Sequence, residues 1–264
     1  MDDELYSRNW AFIDEATQTK LSRTTLLTAG TGLGSAVATL AARTGFGRFI
    51  LADGDRVELS NLNRQAFFRR QIGQNKAVAT AELIREISDD AAIETILEFL
   101  TEATLAAPIA RSDIVVNTID FDDPVFLACN RIARQAGRVV LLPLNLGFGS
   151  ALYVFTPASP TLEDILAAEI EQGGIDAIKT ALVLRAVGSR TQAYMKATIA
   201  KFLDPGPRGW PYDPQLGIAT SVAAALTVGA AVAWTEGRQL RTFPDFAALD
   251  VWPSVVRPEG RGDE

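Results

Sequence analysis

Short apolar runs alternate along the first half of the chain with longer stretches in which apolar residues return every three or four positions. Thr24–Thr28, Phe46–Ala52, Ile93–Leu97, Ile114–Thr118 and Arg138–Leu142 have the length and composition of strands. Between them, Ser35–Thr44, Gly73–Ser88, Thr101–Ala110 and Pro124–Ala136 read as helices. In the second of these, Ala77, Ala81, Ile84 and Ile87 recur at near-helical spacing. The largely apolar Ile114–Thr118 is expected of a strand covered on both faces. The order β-α-β-α-β-α-β-α-β predicts an α/β, Rossmann-like, doubly wound and mainly parallel sheet.

The flanks are less regular. Leu5 to about Lys20 reads as an N-terminal helix anchored by Trp10, Phe12 and Ile13. Beyond Leu142, Gly147–Phe155 reads as added strands, and Thr161–Gly173 and Ile175–Leu203 as helices. A Pro/Gly-rich stretch, Asp204–Gly217, follows. Phe155–Tyr212 carries no motif, and its Phe202, Trp210 and Tyr212 are read as packing residues ahead of pocket lining. Pro214–Thr235 has no charge and is long enough to span a membrane. Its Ala, Thr, Ser, Gly and Val content points instead to a helix in the core or at a subunit contact, and no membrane partner is expected. The chain is therefore divided into an N-terminal helix (1–22), a nucleotide-binding core (23–150), a substrate- and dimer-shaping part (151–252) and a polar, mobile tail (253–264) of one domain.

Composition narrows the chemistry. The chain has no histidine, which removes imidazole bases and His-ligated metals together. Its single cysteine, Cys129, permits neither an internal disulfide nor a Cys₄ zinc site. Placed within a helix, Cys129 reads as a small core residue. Sparse thiol usage and an acidic N-terminus, the reverse of a signal peptide, fit a cytoplasmic protein. The net charge of −7 argues against a general nucleic-acid coat.

Candidate chemistry lies at the strand ends. Ala29-Gly30-Thr31-Gly32-Leu33-Gly34 is a glycine-rich strand-to-helix turn, where backbone N–H groups and the helix N-terminus can meet a phosphate. Asp53 follows the second strand, 19 residues after Gly34, where a carboxylate can meet ribose hydroxyls. This pair points to an adenine nucleotide and does not separate NAD from ATP. Arg64 and Lys76 follow shortly. A triphosphate carries about four negative charges and needs positioned cations during transfer at phosphorus. Asp120, after the fourth strand, suits Mg²⁺, which binds nucleotides through one or two carboxylates plus phosphate and water. Asp122 and Asp123 read as capping or solvated groups, Asp123 with Pro124 opening the next helix.

The segment Leu51-Ala52-Asp53-Gly54-Asp55-Arg56-Val57-Glu58-Leu59-Ser60-Asn61-Leu62-Asn63-Arg64-Gln65 resembles the D-x-D-x-V-x-x-S-N-L-x-R-Q signature of the ThiF/MoeB/HesA family of ubiquitin-activating-enzyme-like adenylyltransferases. Tyr6-Ser7-Arg8, Gly73-Gln74-Asn75-Lys76 and Asn117-Thr118-Ile119-Asp120 are similar to further family motifs, so the resemblance covers roughly Tyr6 to Gly149. It implies binding of ATP with Mg²⁺ and attack of a carboxylate on the α-phosphorus, giving an acyl-adenylate and pyrophosphate. The carboxylate is implied to be a carrier-protein or peptide C-terminus, or a small acid. Asp53 would hold the ribose, Asn61, Arg64 and Lys76 would grip phosphates, and Asp120 would hold Mg²⁺. Gly30, Gly32, Gly34, Asp55 and Gln65 would complete the nucleotide site. Arg8 would reach in as an arginine finger from the partner of a two-fold homodimer.

Three departures qualify the match. Ala29 and Thr31 stand where the family usually has glycines, and a Cβ at a positive-φ position costs on the order of 1–2 kcal/mol. Gly30 offers a turn shifted by one residue. The zinc-binding C-x-x-C pairs of many members are absent, so no zinc is expected. No cysteine follows Leu142, which points to the thioester-free branch, with tRNA the weaker substrate for an acidic chain. Two other readings stay open: a catalytically weak, nucleotide-binding partner subunit, and an NAD(P)-linked enzyme.

Overall fold

The computed structural model describes residues 4–121, 123–188, 195, 198 and 214–256. Its elements in order are α1 (Glu15–Arg23), β1 (Thr25–Ala29), α2 (Leu33–Thr44), β2 (Arg48–Ala52), α3 (Lys76–Arg85), β3 (Ala92–Ile96), α4 (Glu102–Ala110), β4 (Ile114–Asn117), α5 (Val125–Gln135), β5 (Val139–Leu146), β6 (Gly149–Phe155), α6 (Leu162–Ile165), α7 (Ala167–Gly188), α8 (Gly217–Thr235), β7 (Ala247–Asp250) and α9 (Trp252–Val255). Short 3₁₀ turns at Leu59–Asn61 and Arg69–Gln71 lie between β2 and α3.

The strands form one sheet in the order β3-β2-β1-β4-β5-β6-β7. The first five are parallel, and β6 and β7 are added antiparallel at one edge. The chain therefore runs outward from β1 in one direction and then restarts at β4 on its other side. That reversal opens a crevice at the carboxyl ends of β1 and β4, the usual ligand position in such sheets. Register keeps its rim level, because Ala29 pairs with both Ala52 and Asn117.

Alternating side chains serve two cores. Leu27, Ala29, Val115, Val140 and Leu142 face α4, α5 and α7, around Phe126, Cys129, Leu105 and Tyr153. Leu26, Leu51, Val116, Leu141 and Leu152 face α2, α3 and α8. Burial on both faces explains the continuous apolar runs. In α8, Ala224, Val228 and Ala231 are buried beside Val37, Ala38 and Ala41 of α2. By length and composition α8 is apolar enough to cross a membrane. Here it lies on α2, β5 and β6, where small side chains permit close approach.

Several expected boundaries move for local reasons. The N-terminal helix does not run from Leu5: residues 4–13 form turns, and α1 starts only after Asp14, whose carboxylate accepts the Thr17 N–H. Ala11 takes φ +77°, and the expected anchors Trp10 and Phe12 are 77 % and 91 % exposed. Tyr6 is buried instead, its hydroxyl donating to the Ala42 carbonyl at 3.0 Å. α3 begins at Lys76 rather than Gly73, because Asn75 caps it and Gly73 sits at φ +88°.

β5 continues past Leu142 to Leu146, through Pro143. That proline lies beyond Leu141, the last residue paired with β4, so its missing N–H removes nothing from that side. The expected helix over Thr161–Gly173 is broken between Ile165 and Ala167, and Gly174 (φ +62°) interrupts α7 between the two expected helices. β7 and α9 were not anticipated, and α9 falls where a mobile tail was expected. Trp252 at its start stacks on Phe148 with ring centroids 4.4 Å apart. Asp122, Phe202, Trp210, Tyr212, most of Asp204–Gly217 and the tail from 257 onward lie outside the described residues.

Candidate nucleotide site

The crevice is built from the β1–α2 turn outward. Gly30 has φ +91°, and a Cβ there would sit 2.6 Å from the Thr118 carbonyl oxygen. Only glycine suits a position that is both left-handed and in contact with the next strand's backbone. Ala29 and Thr31 do not take positive φ, so the substitutions that the sequence flagged carry no such strain. Thr118 donates its hydroxyl to the Gly30 carbonyl at 2.7 Å and its N–H to Ala29 at 2.8 Å, tying the end of β4 to the turn.

Gly32 opens α2 without a side-chain cap, so first-turn N–H groups are left for another acceptor. Next to it lies the Gln65 amide: a Cβ on Gly32 would meet Gln65 Nε2 at 3.1 Å. The Gln65 Oε1 is buried and has no hydrogen-bond partner. Ser35 joins the two segments, donating to the Gly32 carbonyl and accepting the Ala66 N–H. The uncapped N-terminus of α2 offers N–H donors that a nucleotide phosphate can fill, while the Gln65 Oε1, an acceptor, calls for a donor such as a hydroxyl.

Asp53 stands at the end of β2. Its Oδ2 accepts the Thr31 N–H at 2.6 Å and the Thr31 hydroxyl at 3.0 Å, and its Oδ1 accepts the Asp55 N–H at 2.8 Å. Its backbone is fixed to Ile96 and to the Asn75 side chain. Asn75 also caps α3, accepting the N–H groups of Ala77 and Val78. Lys76 follows on the first turn of α3. Its stem is buried and its ammonium meets the Asp55 carboxylate at 2.8 Å. An ammonium has three donors, so two remain for a ligand.

The remaining sequence-predicted residues are placed as follows. Arg64 donates to Gln215, Ser60 and Asn63, and Asn63 donates to the Gln215 carbonyl, so this turn is latched to the segment entering α8. Asn61 is buried, its Oδ1 accepting the Glu58 N–H. Gly34 packs on Thr28 and Thr118. Asp120 is exposed just beyond β4, on a loop held by Asn117, which donates to Phe126 and Asn130 and accepts from Ile119. Asp123 accepts the Val125 N–H at the start of α5, the capping role expected of it.

Arg8 is not brought to the crevice. Tyr6 and Asn9 bind the last turn of α2, at Ala42 and Thr44. The helix between that end and the glycine turn is 12 residues long, about 18 Å.

Sequence reasoning missed the Thr31–Asp53 bonds, Ser35, Gln215 and Phe99. Phe99 is 64 % exposed and lies against Gly54, next to Asp53. The available signal for it was an aromatic in the short Leu97–Thr101 connection that follows β3. Cys129 is fully buried, and burial pushes its thiol up to about 12, as a core residue requires. A recess of about 290 Å³ also lies between α8 and β6–β7, lined by Leu152, Val154, Leu226, Gly229, Leu240 and Ala247 among others. None of its lining residues belongs to the crevice.

Residues 6–257 match the model of the ThiF family. The chain is 32 % identical over 164 residues to the sulfur carrier protein ThiS adenylyltransferase of Escherichia coli K12, covering 58 % of this chain and 62 % of that protein. It is 31 % identical over 142 residues to the SAMP-activating enzyme E1 of Haloferax volcanii, covering 53 % and 49 %. The chain thus spans less than two thirds of these curated relatives. Among solved structures, PaaA matches with a TM-score of 0.66 at 19 % identity, over 94 % of this chain and 82 % of that one. E. coli MccB with ATP matches with a TM-score of 0.65 at 19 % identity, over 89 % and 65 %. At that identity the likeness is one of fold.

Proposed function

Because the chain belongs to the ThiF family, we propose that it is an ATP-dependent adenylyltransferase that activates a carboxylate as an acyl-adenylate. The observation that carries this is the shared rim at which an uncapped helix N-terminus, the Asp53 carboxylate and the buried stem of Lys76 meet. The ThiS adenylyltransferase among its relatives and the ATP-bound fold neighbour support ATP as the nucleotide.

In this reading the α2 N-terminus receives phosphate oxygens and Asp53 accepts a ribose hydroxyl. Lys76 offers its two remaining donors to the triphosphate, and Arg64 adds a second cation. Asp120 supplies the carboxylate for Mg²⁺, which spreads the phosphate charge when bound. A substrate carboxylate oxygen attacks the α-phosphorus. That new P–O bond forms as the bond to the bridging α–β oxygen breaks, and the electron pair leaves on pyrophosphate. The chain's task is to hold the reactants in line and to balance charge that moves onto the leaving group.

The substrate is a carrier-protein or peptide C-terminus, or a small acid. With Cys129 buried, the acyl group passes directly to its acceptor. Arg8 fits this scheme as a group donated across a two-fold dimer, since its own crevice lies at the opposite end of α2. The reading of an inert partner subunit rested on the altered glycine turn, and Ala29 and Thr31 show no left-handed strain to support it.

The test is pyrophosphate release from ATP and Mg²⁺ in the presence of candidate carrier proteins, peptides and acids. Arg64→Ala and Asp120→Ala should each lower the rate roughly 10²–10³-fold. Undiminished release in both variants would overturn the mechanism.

A further inference from the structure

The four acceptor positions of the Asp53 carboxylate are unequally committed. An ionised carboxylate has about two lone-pair sites on each oxygen. Both sites on Oδ2 are taken by Thr31, one by its N–H and one by its hydroxyl. On Oδ1, one site is taken by the Asp55 N–H. A single acceptor position is left. Thr31 itself is completely buried, so its hydroxyl cannot serve as a substitute acceptor for a group arriving in the crevice.

We propose that Thr31 is a specificity-determining residue for the nucleotide sugar: by occupying Oδ2 it limits Asp53 to one of the two ribose hydroxyls. This rests on the reading of Asp53 as the ribose acceptor. A residue without a hydroxyl at position 31 would leave Oδ2 one free site and allow both hydroxyls to be gripped. The site of this chain therefore tolerates loss of one ribose hydroxyl. Thr31 acts through Asp53 and takes no part in the chemistry at phosphorus.

The experiment is calorimetric titration of the full chain with ATP, 2′-deoxy-ATP and 3′-deoxy-ATP, each with Mg²⁺. In the unaltered protein one deoxynucleotide should bind within about threefold of ATP. The other should bind roughly tenfold or more weakly, as expected for a lost hydrogen bond to a charged group. Thr31→Ala should make both deoxynucleotides weak relative to ATP, and Thr31→Ser, which keeps the hydroxyl, should restore the one-sided pattern. Equal loss for both deoxynucleotides in the unaltered protein overturns the proposal while leaving ATP binding intact. So does an unchanged pattern in Thr31→Ala. Failure of ATP itself to bind at millimolar concentration would overturn the adenylyltransferase reading, and this proposal with it. If Thr31→Ala does not fold, Thr31→Val, which keeps the branched shape without the hydroxyl, should likewise make both deoxynucleotides weak, and an unchanged one-sided pattern there overturns the proposal.

Discussion

Gly30 shows how a single residue sets the site. It alone in the Ala29–Gly34 turn takes positive φ, and it touches the Thr118 carbonyl. A motif count over the turn could flag Ala29 and Thr31 as losses, but φ is fixed by the path of the chain between β1 and α2, which a count does not describe. Thr31 then supplies two bonds to Asp53 that no spacing rule predicts, because they join residues 22 apart across two strands. Cys129 was legible, since an isolated thiol in an apolar helical stretch is usually core. Its burial has a measurable consequence. The Cys129 thiol is pushed from 9.0 up to about 12, and the Tyr153 phenol of the same core from 10.0 up to about 12, both by burial. Each contributes stability that is complete below its unfolded value and is lost as pH rises toward the folded one. Resistance to denaturant should therefore fall progressively from about pH 9 toward 12. In Cys129→Ala the decline should start about one unit later, nearer pH 10, whatever the variant's overall stability. The same onset in both proteins would contradict this account.

At the scale of elements, the alternation from β1 to β5 was readable because each strand is apolar on both faces and each helix carries an apolar stripe. Helix starts were not, because they depend on caps. Asp14 and Asn75 each set a start that hydropathy placed earlier. β7 was missed because Ala247–Asp250 is short, half-buried and paired only at the edge of the sheet. Asn75 links element to site, since it caps α3 just before Lys76 and holds the Asp53 carbonyl. Asn75→Ala should cost about 1 kcal/mol of stability from the cap, with a range of roughly 0.5–2. ATP binding should weaken as well, because Lys76 and Asp53 lose their common support. Chemical denaturation and calorimetry read the two effects separately, and an unchanged ATP affinity would show that Asn75 serves the helix alone.

In the whole molecule, the strand order turns local motifs into a site. Asp53, Lys76 and Asp120 are distant in sequence, but Asp53 follows β2, Lys76 opens α3 and Asp120 follows β4, with β2 and β4 flanking β1 in the parallel sheet. That convergence was foreseeable from the βα rhythm. The position of Arg8 was not, because the N-terminal segment is placed by tertiary bonds to the last turn of α2 rather than by its own periodicity. Nor was the latch between Arg64 and Gln215, which spans 151 residues and connects the signature turn to the entrance of α8. The account depends on that rim gathering cations and magnesium around ATP. A crystal structure of the protein with a non-hydrolysable ATP analogue and Mg²⁺ tests it most directly. It should show the phosphates at the start of α2, Lys76 Nζ and the Arg64 guanidinium turned onto them, and Mg²⁺ facing Asp120. Phosphates lying elsewhere, or those two cations still directed to Asp55 and Gln215 with nucleotide bound, would contradict it.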